Sequence, residues 1–155
     1  MSNNAREKKI VSNINLEKLP FKVLEEDIFS FTKELSLNLK KIFSLSGQKE
    51  SVNWCFASQK RIKVFLIIFN ANENIKSIYK EEIAKKLPEY SYKTIAQIVD
   101  QGVEKEFFVE LNARATKKKD LKIRNIRPSE QLVIEFINWN IEVISVVANF
   151  QKKYK

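Results

Sequence analysis

The spacing of apolar residues changes along this chain, and that change constrains the fold more than any other feature. Over most of the sequence apolar side chains recur every three or four residues, which is the spacing of amphipathic helices. Over residues 107–127 they alternate with polar residues on both sides of a polar tip, a pattern typical of a β-hairpin. The chain has 2 Gly and 3 Pro, too few for the turns of a β-sandwich or barrel. We therefore predict a mainly α-helical protein with one small β-hairpin.

Five amphipathic patterns predict five helices. The third should end at Leu87, because the residue before a proline avoids helical geometry and Pro88 follows. Ser51 and Ser91 each stand where a side chain can cap the helix that follows. The fourth helix should bury Ile95, Ile98, Val99, Gly102 and Val103. The predicted helices span residues 20–46, 51–72, 77–87, 91–104 and 129–152.

The chain length allows one domain, or one small domain with helical extensions that pack when two copies meet. Residues 1–15 are polar and charged without periodicity, so we expect a mobile arm. Residues 16–155 should form the single domain.

Residues 112–127 hold most of the positive charge. The chain has a net charge of +9, which favours an anionic partner such as nucleic acid or a membrane surface. This segment supplies six of those nine charges, since seven Lys and Arg residues stand against Asp120 alone. At a hairpin tip these cations would neutralise phosphates, with a solvated charge run as the alternative. Asp120 would hold neighbouring cations in position by a salt bridge, with an exposed turn residue as the alternative. The predicted phosphate contacts are Arg114, Lys117, Lys118, Lys119, Lys122 and Arg124.

Several chemistries are excluded by composition. The chain has no histidine, so Ser-His and Cys-His catalytic pairs and histidine-containing zinc sites are impossible. Its one cysteine, Cys55, cannot form an internal disulfide. Between Trp54 and Phe56 we expect it to be a small buried residue, with a redox-sensitive thiol near Lys60 and Arg61 as the alternative. We expect no enzymatic activity, no cofactor and no metal.

Nothing in the sequence indicates secretion or membrane insertion. The N-terminus MSNNAREKK lacks the apolar core of a signal peptide, and no apolar run approaches the roughly 20 residues of a membrane span. We expect a cytoplasmic protein without a membrane partner.

Two segments resemble the MarR family of winged-helix transcriptional regulators. Residues 91–100, SYKTIAQIVD, are similar to the family's recognition helix, and residues 120–130, DLKIRNIRPSE, are similar to its wing and the start of the next helix. The order of predicted elements resembles the family over residues 21–150. The resemblance implies a winged helix-turn-helix with long N- and C-terminal dimerisation helices. It places the DNA-binding lobe at 51–127, with the helix-turn-helix at 77–104 and the wing at 107–127. The basic wing would lie on the phosphate backbone or in the minor groove.

The resemblance also implies a homodimer, and the residues agree with it. The helices at 20–46 and 129–152 carry more apolar surface than one small domain can bury. Related regulators often bind a small effector, for which Trp54, Phe65 and Trp139 would line a pocket, unless they pack in the core. The predicted dimer contacts are Phe21, Leu24, Ile28, Phe136, Trp139, Val143, Val147 and Phe150.

Contacts to DNA follow from the same resemblance. A recognition helix lies in the major groove, where Gln97 could pair with adenine, Thr94 could touch a thymine methyl, and Lys93 could bind guanine or phosphate. For each residue an ordinary solvated helix face is the alternative. The predicted contacts at the start of this helix are Ser91, Tyr92, Lys93, Thr94 and Gln97.

These expectations combine into a sequence-specific double-stranded DNA-binding regulator that acts as a nucleoid-associated homodimer. The alternatives are a nucleoid or replication-associated DNA-binding protein with weak specificity, and a winged-helix module that binds proteins. A protein partner such as RNA polymerase stays open.

Overall fold

A computed structural model describes residues 14–20, 22–73, 78–112 and 124–153, so most of the predicted arm lies outside the described residues. Within these ranges the chain is mainly helical and has one two-stranded antiparallel sheet, which confirms the prediction at that level. The elements are α1 Ile28–Gly47, α2 Glu50–Cys55, α3 Gln59–Glu73, α4 Lys80–Lys86, α5 Tyr92–Glu104, β1 Phe108–Asn112, β2 Arg124–Pro128 and α6 Glu130–Lys153.

The chain divides into two compact units. In the smaller unit the rings of Phe31 and Phe150 lie 5.9 Å apart, and Lys153 pairs with Glu34 at 2.7 Å. The larger unit contains the sheet and most of the buried core. The smaller unit is residues 1–43 with 146–155, and the larger unit is residues 44–145.

The first long helix begins later than its apolar spacing predicts. We expected it from residue 20, but α1 starts at Ile28, after two 3-10 turns at Leu16–Lys18 and Glu25–Asp27. Leu19 has extended backbone, with φ −78° and ψ 145°. It precedes Pro20, and a residue before proline avoids the helical region. Leu24 is also extended, with φ −70° and ψ 141°, so the backbone does not follow the apolar spacing until Ile28.

The helix predicted over residues 51–72 is wrong as a single element, because α2 and α3 are separated by a turn at 56–58. The Ser58 hydroxyl accepts a hydrogen bond from the backbone N–H of Arg61 at 3.2 Å. This bond satisfies an amide that has no partner within the first turn of α3, so the chain can restart a helix there. The buried residues of α3 are Val64, Phe65 and Ile68.

Ile78 lies outside a helix, contrary to the helix predicted over residues 77–87. It forms an antiparallel bridge with Ile126 of β2, whose N–H donates to the Ile78 carbonyl at 2.7 Å. Both residues are buried, so the bridge satisfies backbone groups that would otherwise lack a partner in the core. Within residues 78–87 only 80–86 are helical, and Leu87 is buried directly before Pro88.

The buried face of α5 agrees with the prediction. Ile95, Ile98, Val99 and Gly102 are buried, and α5 contacts α3, α4 and β1. The ring of Phe108 lies so close to Gly102 that a Cβ at this position would overlap it. The absence of a side chain therefore allows β1 to pack against α5.

Between α5 and β1 the chain reverses direction at Glu106, which has left-handed backbone with φ 62°. The N–H of Glu106 donates to the Val103 carbonyl at 3.0 Å, and the N–H of Phe107 donates to the Gly102 carbonyl at 2.9 Å. These two bonds end α5 as a Schellman motif. A non-glycine residue in this conformation costs about 1–2 kcal/mol. The reversal directs Phe107 and Phe108 into the core at once.

α6 has apolar residues on two opposite faces. Its start agrees with the prediction, since the Ser129 hydroxyl accepts a hydrogen bond from the N–H of Leu132 at 3.1 Å. The inner face is buried or half-buried and consists of Leu132, Phe136, Trp139, Val143, Val146 and Phe150. The outer face is 51–65% exposed at Ile134, Ile137, Ile141 and Ile144, which we call the isoleucine row.

By length and composition α6 could also cross a membrane, with a mean hydropathy of 1.3 in its most apolar window. The sequence has no uninterrupted apolar run here because Glu135 and Glu142 divide it. Only 11% of this window is buried, and one such helix is weak evidence for a membrane span.

We predict that Gly102→Ala destabilises the protein by about 1–3 kcal/mol, because the added methyl group collides with the Phe108 ring. Urea unfolding measures the change. Gly47→Ala is the matched control: a Cβ at Gly47 meets nothing within 4 Å, and alanine favours the helix. Equal stabilities of the two variants would contradict the close packing of α5 and β1.

Candidate nucleic-acid interface

Ser91 caps α5 as predicted. Its backbone is extended, with φ −67° and ψ 151°, and its hydroxyl accepts a hydrogen bond from the N–H of Thr94 at 3.2 Å. The two side-chain oxygens of Ser91 and Thr94 lie 2.9 Å apart and share a hydrogen bond. Both predicted contact residues therefore fix the start of the helix.

Tyr92, the next predicted contact, is held within the protein. Its hydroxyl donates to the Glu81 carboxylate of α4 at 3.1 Å, although half of the residue is exposed. Burial and this hydrogen bond raise the pKa of Tyr92. Lys80 of α4 also forms an ion pair with Asp100 of α5. Tyr92 thus helps to hold α4 against α5.

Lys93 and Gln97 are the predicted contacts that remain available on α5. Both are exposed, and their four-residue spacing puts them on the same side of the helix. Their side chains have no hydrogen-bond partner among the described residues. The acidic residues Asp100 and Glu104 lie toward the other end of α5 and are also exposed. The N-terminal end of α5 is therefore the end suited to an anion.

The hairpin strands pair from Phe108 with Pro128 to Asn112 with Arg124. The backbone of Arg124 belongs to β2, but its side chain is outside the described residues. The tip, residues 113–123, also lies outside them. The predictions that fall there are Arg114, Lys117, Lys118, Lys119, Asp120 and Lys122.

A basic cluster that the sequence did not reveal lies beside the start of α5. The Nζ of Lys60 is 5.6 Å from the centre of the Tyr90 ring, and that of Lys63 is 5.4 Å away, both within cation–π range. Lys63 also pairs with Glu89 at 2.8 Å, and this bond raises the pKa of Lys63 and lowers that of Glu89. Spacing alone places the lysines on one side of α3, but it does not indicate their contact with Tyr90. We call Lys60, Lys63 and Tyr90 the lysine patch.

Glu135 of α6 holds the start of α2. Its Oε2 accepts hydrogen bonds from the Ser51 hydroxyl at 2.5 Å and the Ser51 N–H at 2.9 Å. Burial raises the pKa of Glu135, but these hydrogen bonds, together with those from Gln131 and the Val52 backbone, outweigh it and the net shift is downward. The N-cap of α2 is Lys49, so the prediction that Ser51 caps this helix is wrong. Lys49 in turn pairs with Glu142 at 2.7 Å, which adds a second link between α6 and this end of α2.

Cys55 is buried, and burial raises the pKa of its thiol to about 12, against a smaller opposing effect of Arg61. Such a thiol is not ionised at neutral pH, so it lacks the thiolate that a redox sensor needs. Arg61 itself lies over the ring of Trp54 at 4.5 Å and donates to the Trp54 carbonyl. The interpretation of Cys55 as a small buried residue is therefore favoured.

The aromatic residues considered for an effector pocket pack against other rings. Trp54 meets Phe108 at 5.8 Å, Phe65 meets Phe136 at 5.1 Å, and Phe136 stacks on Trp139 at 6.3 Å. The indole Nε1 of Trp139 has no hydrogen-bond partner among the described residues. These contacts favour core packing as the use of the three residues.

No protein-family model matches the chain, and no curated protein matches it. Among solved structures, the crystal structure of the YusO protein from Bacillus subtilis is similar, with a TM-score of 0.49 and 15% sequence identity. The match covers 83% of this chain and 84% of that one.

We predict that the contribution of Glu135 to stability depends on pH. A carboxylate whose pKa is lowered by folding stabilises the protein above its unfolded pKa, and this stabilisation is lost as the pH falls through the lower folded value. Wild type should therefore exceed Glu135→Gln in unfolding free energy at pH 7, and the difference should shrink below the ordinary carboxyl pKa of 4.5.

Urea unfolding at pH 7, 5 and 3 measures this difference. Glu104→Gln, which removes an exposed carboxylate from α5, is the control. A difference for Glu135→Gln that stays constant over this range would contradict the proposed hydrogen bonding to the charged form.

Proposed function

We propose that this protein is a double-stranded DNA-binding transcriptional regulator of the winged helix-turn-helix type, resembling the MarR family and acting as a homodimer. The observation that carries the proposal is the exposed N-terminal end of α5. It presents Lys93 and Gln97 beside a capped helix start, while the opposite face of α5 is buried in the core. A helix held in this way can enter a major groove with its first turns toward the bases.

The neighbours of α5 support the helix-turn-helix interpretation. α4 packs against α5 across a short turn, and the Tyr92–Glu81 and Lys80–Asp100 contacts fix the two helices to each other. The Ile78–Ile126 bridge links the segment ahead of α4 to β2. A hairpin that follows the second helix and bonds back to the segment before the first is the arrangement expected of a winged helix.

The charge of the hairpin sequence supports DNA as the partner. Its tip and second strand contain Arg114, three consecutive lysines at 117–119, Lys122 and Arg124. Cations at these positions would release counterions from phosphates and supply affinity independent of sequence. We assign base readout to α5 and binding strength to the hairpin.

A second candidate, a DNA-binding protein of weak specificity, is favoured by the hydrogen bonds of α5. Tyr92 is bonded to Glu81, and Thr94 is bonded to Ser91, so neither is free to read a base without breaking a contact. Lys93 and Gln97 alone then provide direct readout. Each good two-point contact to a base discriminates by about 1–3 kcal/mol, so two residues give limited specificity.

The isoleucine row of α6 is the surface we propose for a second copy of the chain. Its spacing of three, four and three residues lines one side of the helix, as in a helix–helix seam. Between residues 134 and 150 the only charged residues are Glu135 and Glu142, and both are bonded to α2 or its cap. The row is therefore apolar and free of unpaired charge, which suits a self-complementary interface about a twofold axis.

This surface differs from the dimer contacts expected from sequence. Ile28 is buried within the single chain, and Phe136 and Trp139 pack on other rings of the same chain. Val143 and Phe150 are half-buried, Leu24 and Val147 are 63% and 43% exposed, and Phe21 lies outside the described residues. Apolar spacing could not separate the two faces of α6, because both faces are apolar.

We predict that Gln97→Ala lowers affinity for a selected DNA site by about 10- to 100-fold while leaving affinity for random DNA unchanged. The site is first obtained by sequencing fragments that the protein retains from sheared genomic DNA. Fluorescence anisotropy then measures both affinities at fixed salt, with Gln101→Ala, on the same helix, as the control. Equal reductions on both DNAs would favour the weakly specific binder, and retention of no DNA would contradict the proposed function.

We predict that Ile137→Lys with Ile141→Lys converts a dimer into a monomer of 18.2 kDa, because four buried ammonium groups would face each other across the interface. Sedimentation equilibrium measures the mass. Leu66→Lys, which charges an exposed apolar position on α3, is the control and should leave the dimer intact. A wild-type protein that sediments as a monomer would contradict the proposed interface.

A further inference from the structure

The lysine patch adjoins the end of α5 that the proposed function directs toward DNA. Tyr90 directly precedes Ser91, the cap of α5, so its Cα lies about 3.8 Å from the Cα of that cap. The ammonium groups of Lys60 and Lys63 approach the Tyr90 ring from α3. The patch therefore extends the basic end of α5 onto a second helix.

The patch has the chemistry of a phosphate contact. Lysine ammonium groups bind phosphate as point charges and carry no information about base identity. Contact with the Tyr90 ring restricts both lysine side chains, so their binding to a phosphate costs less conformational entropy. Lys60 is exposed and has no ion-pair partner in the part of the chain that the structure describes. Its charge is thus available to an external anion.

We propose that Lys60 and Lys63, held at Tyr90, bind the phosphate backbone of DNA beside the recognition helix. The proposal rests on the proposed function and adds α3 to the surface that contacts DNA. The patch fixes the protein on the duplex at the start of α5, on a different element from the hairpin. Positioning from two elements restricts how α5 can rotate in the groove.

Glu89 opposes this contact in the free protein. Its carboxylate pairs with Lys63 and is exposed next to the surface that would face phosphates. Phosphate and carboxylate compete for the same ammonium group, and the two anions repel each other. Removal of the Glu89 charge should therefore strengthen DNA binding, whereas removal of the lysine charges should weaken it.

The test compares the salt dependence of DNA binding for wild type, Lys60→Gln with Lys63→Gln, and Glu89→Gln. Removing one lysine–phosphate interaction should reduce the slope of log K against log salt by about 0.9, so the double variant should show a reduction of up to about 1.8. Its affinity should fall equally for a selected site and for random DNA. Glu89→Gln should bind both DNAs several-fold more tightly than wild type.

Lys105→Gln is the matched control, because Lys105 is exposed at the opposite end of α5, ~20 Å from its start. It should keep the wild-type slope, and circular dichroism checks that each variant is folded. If the slope of the double variant falls no further than that of the control, the patch does not bind phosphate and only this inference is overturned. If wild type itself binds no DNA, the proposed function fails first.

Discussion

The ring of Phe108 lies against the bare backbone of Gly102, and the arrangement around α5 depends on this contact. Because Gly102 has no Cβ, β1 approaches α5 closely enough for the ring to reach the core, where it meets Trp54 edge-on at 5.8 Å. β2 is placed by its pairing with β1, and Ile126 then bonds to Ile78 ahead of α4. The absence of a Cβ at Gly102 thus sets the distances among α5, the hairpin and the segment before α4.

This packing determines which part of the polar surface is open to a partner. The inner face of α5 is committed to the core, and α4 engages Tyr92 and Asp100. The exposed carboxylates there, Glu81 and Glu89, are bonded to Tyr92 and Lys63. The other exposed residues at the start of the helix include Lys93 on α5 and, beside it, Lys60 on α3. The start of α5 is therefore held in place by its neighbours, lies beside positive charge and is exposed. These are the properties that recognition of a polyanion requires.

The sequence predicted the elements whose determinants are local. Ser91 caps its helix as expected, the last helix begins where its pattern predicts, and the buried face of α5 follows its apolar spacing. The features that it did not predict depend on partners distant in the chain: the Ile78 bridge needs Ile126, and the role of Ser51 needs Glu135. The candidate site has features of both kinds. The exposure of the start of α5 follows from its apolar periodicity, whereas the lysine patch depends on tertiary packing.

Glu135 and Glu142 stand seven residues apart on α6, and both bind at the start of α2. Seven residues are almost two full turns, so the two carboxylates lie along one line on the helix surface. A helix fastened at two points on one line cannot roll about its own axis. The direction in which the isoleucine row points is consequently fixed by the packed inner face of α6 together with two acids on its flank, and not by the isoleucines themselves. The bonds of Glu135 and Glu142 to the start of α2 thereby help to set the direction in which the isoleucine row is exposed.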